Sequence, residues 1–297
     1  EYDESFNHQY INSQAGAVNP NGNNGVNRSY NTSASFSRYF DQTYNLVANF
    51  NRVFAEKHTV NVMAGTEFYK RRYRGFSAGG YGAPTGYFPG LGLTQNDADV
   101  QSRSMSSFHN EEALLSYFGR AEYDYMDKYL FAATFRADGY SRLVNNKWGT
   151  FPGVSGGWVF SKENFWNKLG MENIINYGKL RASYGMNATI NSSYLGYYTL
   201  QGSYSAYKYD GVYGYRVSTL PNPNLKWEKT RTAEVGLDLG FLNNRFNLGL
   251  TYYNRLTMDK YSALSLPRTT GFSTVTYNNG QYRNAGIELD LQGTLLR

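Results

Sequence analysis

The sequence contains no cysteine and only three histidines, and none of its apolar runs approaches the roughly 18 residues of a membrane-spanning helix. The first absence removes disulfides and thiolate metal sites. The second leaves His8, His58 and His109 far apart, without metal-ligand spacing, and each reads as a loop or interface histidine. The third excludes helical spans but not a transmembrane barrel, because only alternate residues of a barrel strand meet lipid. The opening "EYDESFNHQY" has neither a start Met nor a signal-type apolar stretch, so the expectation is a piece of a longer, processed protein. Net charge is +6, yet Lys and Arg are scattered rather than gathered in a block, which argues against nucleic-acid binding.

What the chain has in quantity is aromatic and small: 29 Tyr, 18 Phe and 31 Gly, a composition of strands joined by wet loops. In "FGRAEYDYMDKYLFAATFRADGYSR" apolar and polar residues alternate on both sides of "MDK". Alternation puts alternate side chains on opposite faces of a strand. Folding the two arms pairs Tyr125 with Tyr129, Tyr123 with Phe131, Ala121 with Ala133 and Gly119 with Phe135. Arg120, Glu122, Asp124, Thr134, Arg136 and Asp138 fall on the other face. A slip of one residue would set apolar against charged along the whole hairpin. Such a face fits either the dry interior of a β-sandwich or the lipid wall of a barrel. Tyrosines at both ends of the face, with Gly119, Ala121 and Ala133 between, match the aromatic girdles of a barrel.

Two further hairpins repeat the pattern. "TAEVGLDLGFLNNRFNLGLTYYNR" turns at Leu242 to Arg245 and places Ala233, Val235, Leu237 and Leu239 with Phe246, Leu248, Leu250 and Tyr252. "YNLVANFNRVFAEKHTVNVMAGTEF" is read with Phe54 opposite Val60, Phe50 opposite Ala64 and Leu46 opposite Phe68. More strands are expected at Phe151 to Ser161, Lys179 to Met186 and Tyr282 to Leu295. Short turns follow Phe54, Tyr125 and Phe241, and a helical turn, "SKENFWNKLGMENII", follows Phe160. Long loops fill the alternate gaps, roughly Tyr73 to Ser104, Arg142 to Thr150, Asn187 to Leu225 and Tyr261 to Gln281. Short turns on one rim and long loops on the other are the asymmetry of an outer-membrane barrel. By the same parity Ile11 to Asp41 reads as one outer excursion. About ten antiparallel strands result, each near the roughly 9–11 residues needed to cross.

The motifs that suggest chemistry lack its context. "GVSGG" matches a Gly-x-Ser-x-Gly elbow, but Ser155 sits inside an alternating strand and no His follows His109. "GGYGAPTGYFPGLG" opens no helix, so it reads as a surface loop and not a phosphate cradle. Glu234 with Asp238, and Glu122 with Asp124, supply carboxylates for a glycosidase. Their face also carries Arg, Thr and Asn, as a wet lumen would. No catalytic, cofactor or metal site is expected.

Asn222-Pro223-Asn224-Leu225-Lys226-Trp227-Glu228-Lys229-Thr230 closely resembles a motif of SusC/RagA-type TonB-dependent outer-membrane transporters. "YFGRAEYDYMDKYLFAATFRADGYSR", "NKWGTFPGVSGGW", "KLRASYGMN", "LPRTTGFST" and "RNAGIELDL" resemble successive barrel motifs of that family in their usual order. "YGMNA" at Tyr184 to Ala188 departs from the Gly-Thr-Gly-Asn more common there. The resemblance implies an all-β fold: an antiparallel transmembrane β-barrel of 22 strands, with residues 1–297 forming part of it and the plug and closing strands lying elsewhere. It further implies energised nutrient import without covalent chemistry. The partners it implies are a SusD-like surface lipoprotein lid, the TonB complex reached through the plug, outer-membrane lipid and lipopolysaccharide, and an oligosaccharide or oligopeptide substrate. Tyr81, Tyr87, Phe88, Tyr204, Tyr207, Tyr209 and Tyr213 are candidates for stacking on that substrate, or for packing loop on loop or against the lid. A secreted β-rich carbohydrate-binding or adhesin module and a β-fold glycosidase stay open as alternatives.

Overall fold

The computed structural model describes residues 2–11, 31–80, 91–94, 103–171, 174–243 and 245–294. Ten strands form one antiparallel sheet in the order β1-β2-β3-β4-β5-β6-β7-β10-β11-β12, and β8 and β9 form a separate pair. The strands are β1 (Tyr2–Ile11), β2 (Asn31–Phe54), β3 (His58–Gly80), β4 (Arg103–Tyr125), β5 (Tyr129–Tyr140) and β6 (Trp148–Trp158). They continue with β7 (Ile175–Thr189), β8 (Ser203–Tyr209), β9 (Val212–Thr219), β10 (Glu228–Phe241), β11 (Phe246–Ser265) and β12 (Thr274–Gly293), with one short helix, α1 (Asn164–Lys168). Among the described residues no helix is long and apolar enough to cross a membrane, which says nothing about a barrel.

Strand length departs most from the sequence reading. β2, β3 and β4 run for 24, 23 and 23 residues, about twice the crossing length. Asn31 to Asp41 is therefore not an excursion but the first half of β2, paired with β1 from Tyr2↔Phe40 to Ile11↔Asn31. Likewise Tyr73 to Gly80 continues β3, and Tyr261 to Ser265 and Thr274 to Gln281 are strand, leaving only residues 266–273 as a loop. Beyond the apolar band neither face of a strand needs to be apolar. Its pattern there becomes polar against polar, which sequence reading takes for loop.

The short turns are built from left-handed backbone. Ala55 and Glu56, Met126 and Asp127, and Leu242 and Asn243 all have positive φ, from 48° to 60°. Two such residues in succession twist in the sense of paired strands. Asp124 steadies one turn, its Oδ1 accepting the Asp127 N–H at 2.7 Å.

The chain divides into two compact units, Glu1–Thr43 with Tyr69–Ala113, and Tyr44–Phe68 with Leu114–Arg297. In the first, Tyr39 and Tyr73 stack face to face at 4.0 Å, and Phe108 meets Tyr73 at 4.5 Å in a tilted contact. Arg71 holds both oxygens of Asp41, at 2.8 and 2.6 Å.

In the second unit the β4–β5 register is the one read from sequence, with Tyr125↔Tyr129, Tyr123↔Phe131, Ala121↔Ala133 and Gly119↔Phe135. Phe241↔Phe246 and Val235↔Tyr252 likewise match the second hairpin. The third keeps its faces but closes two residues tighter. β3 starts at His58, and Phe68 stacks on Tyr44 rather than facing Leu46. The buried core of this unit is not under the strands. It gathers Leu143, Phe151, Leu195, Leu200, Leu225, Trp227 and Tyr261, mostly from connections at the end of the strands away from the short turns.

Candidate functional site

Following paired residues across the second unit from β4 to β12 reads out two chemistries. One row is Tyr123, Phe131, Gly156, Ala182, Val235, Tyr252 and Ile287. The neighbouring row of opposite facing is Glu122, Ala132, Ser155, Ser183, Glu234, Tyr253 and Gly286. Phe131, Phe135, Val154, Leu180, Tyr184, Val235 and Ile287 leave the first face bare.

The second face is tied by ion pairs. Arg120 pairs with Glu122, Arg136 holds Asp138 at 2.8 Å and Ser116 at 2.9 Å, Arg181 meets Asp238 at 3.2 Å, and Arg255 meets Glu234 at 3.3 Å. Of the carboxylates that invited a glycosidase reading, Glu122, Glu234 and Asp238 are thus neutralised by arginines, and Asp124 accepts the Asp127 N–H. Clefts of about 540 and 580 Å³ run over this face, lined by Lys179, Arg181 and Glu234 in one and by Thr134, Asn187 and Thr232 in the other. Ser155 lies mid-strand between Ala132 and Ser183, as its alternation indicated. His8, His58 and His109 are strand residues rather than loop ones. His58 Nδ1 is 2.7 Å from the Tyr123 hydroxyl, and His109 is 3.4 Å from Glu111. Among the described residues no group of three or more His, Asp or Glu is placed to hold a metal.

At the short-turn end, Trp158, Phe160, Phe165 and Trp166 make an aromatic cluster with edge contacts of 5.0 to 6.3 Å. Glu163 sits among them. Its carboxyl is held below the usual range first by the Tyr129 hydroxyl and then by the Trp158 indole and the Lys128 ammonium.

The opposite end is organised by the segment Asn222 to Glu228. Leu225 and Trp227 enter the core, and the Trp227 indole donates to the Lys147 carbonyl at 3.0 Å. The buried Glu228 carboxylate accepts the Tyr261 N–H at 2.6 Å. Asn222 donates to the Thr276 carbonyl, and Asn145 and Asn146 donate to Asn224. Lys226 Nζ reaches Asp259 at 2.9 Å. The segment that carried the family resemblance is therefore a clamp between the β5–β6 connection and the β11–β12 hairpin. Tyr261 lies against it with its hydroxyl buried and unpartnered, and burial, then Glu228, pushes its phenol pKa up.

The long β7–β10 connection is anchored at both ends, through Leu195 and Leu200 early in it and through Leu225 and Trp227 of the clamp at its close. What projects between is the β8–β9 hairpin, which contains Tyr204, Tyr207, Tyr209 and Tyr213. It turns at Asp210 and Gly211, both at positive φ. The sequence reading saw only loop, although Asp-Gly between alternating aromatics is a strong hairpin signal. It also passed over Tyr215 and Val217, which belong to the same pair of strands. Tyr81, Tyr87 and Phe88 lie outside the described residues.

All 297 residues match the model of the TonB dependent receptor-like β-barrel family. The chain is 37% identical over 206 residues to the TonB-dependent receptor SusC of Bacteroides thetaiotaomicron, covering 67% of this chain and 20% of that protein. It is 35% identical over 238 residues to the TonB-dependent receptor P3 of Formosa agariphila, covering 79% and 23%. Among solved structures it resembles the RagAB peptide transporter, with a TM-score of 0.79 and 25% identity, over 90% of this chain and 29% of that one. The chain thus spans about a fifth to a quarter of the length of the curated relatives it matches.

Proposed function

The chain belongs to the TonB-dependent receptor β-barrel family of outer-membrane proteins, and from that membership we propose that it forms barrel wall and outer vestibule of a nutrient importer. The substrate is an oligosaccharide or oligopeptide too large for a porin, and uptake is energised through TonB. A surface lipoprotein closes the outer side, and lipid and lipopolysaccharide surround the wall. The observation that carries this reading is the division of the second unit's strands into a bare apolar face and an ion-paired polar face. The first suits lipid and the second a wet lumen. A secreted module would leave the first face in water, and a glycosidase would not pair its carboxylates with arginines.

The test is excision of residues 203–219 in the full-length transporter, joining Gly202 to Leu220. Both ends remain anchored in the core, and loop shortening costs little when flanking strands keep their partners. Barrel abundance in the outer membrane should be normal while growth on the cognate nutrient falls. Normal import by a normally abundant variant would remove the hairpin from the vestibule's function.

A further inference from the structure

β3 changes character part-way along one parity. Val60, Val62, Ala64, Thr66 and Phe68 follow the short turn over about one crossing of roughly 9–11 residues, and the same parity then reads Lys70, Arg72 and Arg74. In the neighbouring strand β4, Tyr123, Ala121, Gly119, Tyr117, Leu115 and Ala113 lead away from their turn in the same manner, to Glu111 and His109. On both strands an apolar set gives way to a charged one.

Within the first unit these charged residues meet. Lys70 Nζ reaches one oxygen of Glu111 at 3.1 Å, while Arg72 Nε and His109 Nε2 reach the other at 3.2 and 3.4 Å. The alternate parity of the same unit holds the Tyr39 and Tyr73 rings and the Arg71–Asp41 pair, so the cluster is on the face away from that packing. Arg74 is exposed and has no ion pair among the described residues. Three cations against one carboxylate leave an excess of positive charge.

Depth selects what meets that excess. Barrels of this kind keep their short turns on the periplasmic side, so one crossing away from the turn is the headgroup level of the outer leaflet. Lys and Arg lay their stems along apolar surface at such a boundary and hold the charge at its polar edge. The guanidinium fork matches phosphate geometry, and an ammonium adds a point charge. The glycolipid of the outer leaflet presents phosphate at this depth.

We infer that Lys70, Arg72 and Arg74 form a docking site on the outside of the wall for the headgroup phosphate of lipopolysaccharide. The inference rests on the proposed function for the lipid that surrounds the wall, and on nothing in the transport step. Glu111 spaces Lys70 and Arg72 but repels the same phosphate.

In the experiment, full-length transporter purified in detergent is mixed with lipid A, either phosphorylated or dephosphorylated, and retained lipid is measured by native mass spectrometry. The parent should hold the phosphorylated form at least tenfold more tightly. Lys70→Gln with Arg72→Gln and Arg74→Gln should abolish that preference. Lys57→Gln with Lys162→Gln and Lys168→Gln subtracts the same charge at the short-turn end and should change it less than threefold. Glu111→Gln should strengthen retention of the phosphorylated form at least threefold, a gain that a misfolded barrel would not give. A preference that survives the first triple substitution, an equal loss in the second, or weaker retention in Glu111→Gln overturns the inference. Inorganic phosphate held alone as tightly as lipid A would make this a free-anion site and overturn it too. Loss of association between transporter copies in the first triple variant, with lipid A retention unchanged, would give the patch to a second copy instead. Failure of the importer reading would show separately, as absent uptake by a parent protein that still retains lipid A.

Discussion

Asn278 and Lys226 exchange two hydrogen bonds, the Asn278 amide oxygen accepting the Lys226 N–H and its nitrogen donating to the Lys226 carbonyl, both at 3.0 Å. The side chain thus acts as a one-residue strand partner for the clamp. It also donates to the Asp259 carbonyl at 2.6 Å, so one amide joins the clamp to both strands of β11–β12.

Asn278→Ala should loosen this clamp by about 1 kcal/mol, the lower end of the range for unpaired polar groups because the site is partly wet. The expected result is faster hydrogen exchange across residues 222–228 with unchanged barrel yield. Unchanged exchange would mean that the amide contributes nothing there.

Tyr261→Phe removes a buried hydroxyl that has no partner, so stability should stay level or rise by up to about 1 kcal/mol. Tyr261→Ala should instead cost about 3–5 kcal/mol through the cavity it leaves. The folded phenol has a raised pKa, so its contribution is full below the unfolded value and lost as pH rises through the folded one. Protection of the core around Leu225 should fall at strongly alkaline pH in the parent and not in the Phe variant.

The Asp41 carboxyl is held below the usual range, first by its hydrogen bond to Arg71 and despite an opposing push from burial. Its contribution is present above the unfolded pKa and lost as pH falls through the lowered folded one. Pepsin should cut near Asp41 and Arg71 only in that acid window. Asp41→Asn should make cutting there less dependent on pH.

Ala133 lies in the apolar set between Ala121 and Val154, and Thr134 lies on the polar face between Arg120 and Gly153. Ala133→Arg should cost roughly 2–4 kcal/mol if that face meets the bilayer midplane. Thr134→Arg, facing a cleft, should be far milder. Heat-modifiability of the full-length barrel gives the comparison, and equal losses would contradict the facing.

Single cysteines at Asp127 and Asn243, both in tight turns, should escape an impermeant thiol reagent on whole cells. Cysteines at Ser203 and Thr270 should be labelled when the lipoprotein is absent. Labelling of Asp127→Cys on intact cells would invert the sidedness.

What could be read in advance follows from what a two-residue period contains. In β4–β5 the short turn and the alternation together leave one pairing, and the sequence reading found it. In β2–β3 the alternation also permits a shift of two residues, which keeps every face and changes every partner. Parity therefore fixed the facing of Phe68 but not its contact with Tyr44. The core was less legible because Leu195, Leu200 and Leu225 come from a connection without period, where burial is set by the clamp. That Tyr204 and Tyr213 share one face of β8–β9, with Tyr207 and Tyr209 on the other, required the Asp210–Gly211 turn to be recognised first.

Anchoring the β7–β10 connection at both ends makes the stretch between Gly202 and Leu220 an interchangeable cassette. Replacement hairpins need only begin and finish at those two points, since Leu200 and Leu225 on either side are buried in the core and belong to neither strand of the hairpin. Variation in length or chemistry there is decoupled from wall folding, so new partner choice can be acquired by exchanging one exposed hairpin.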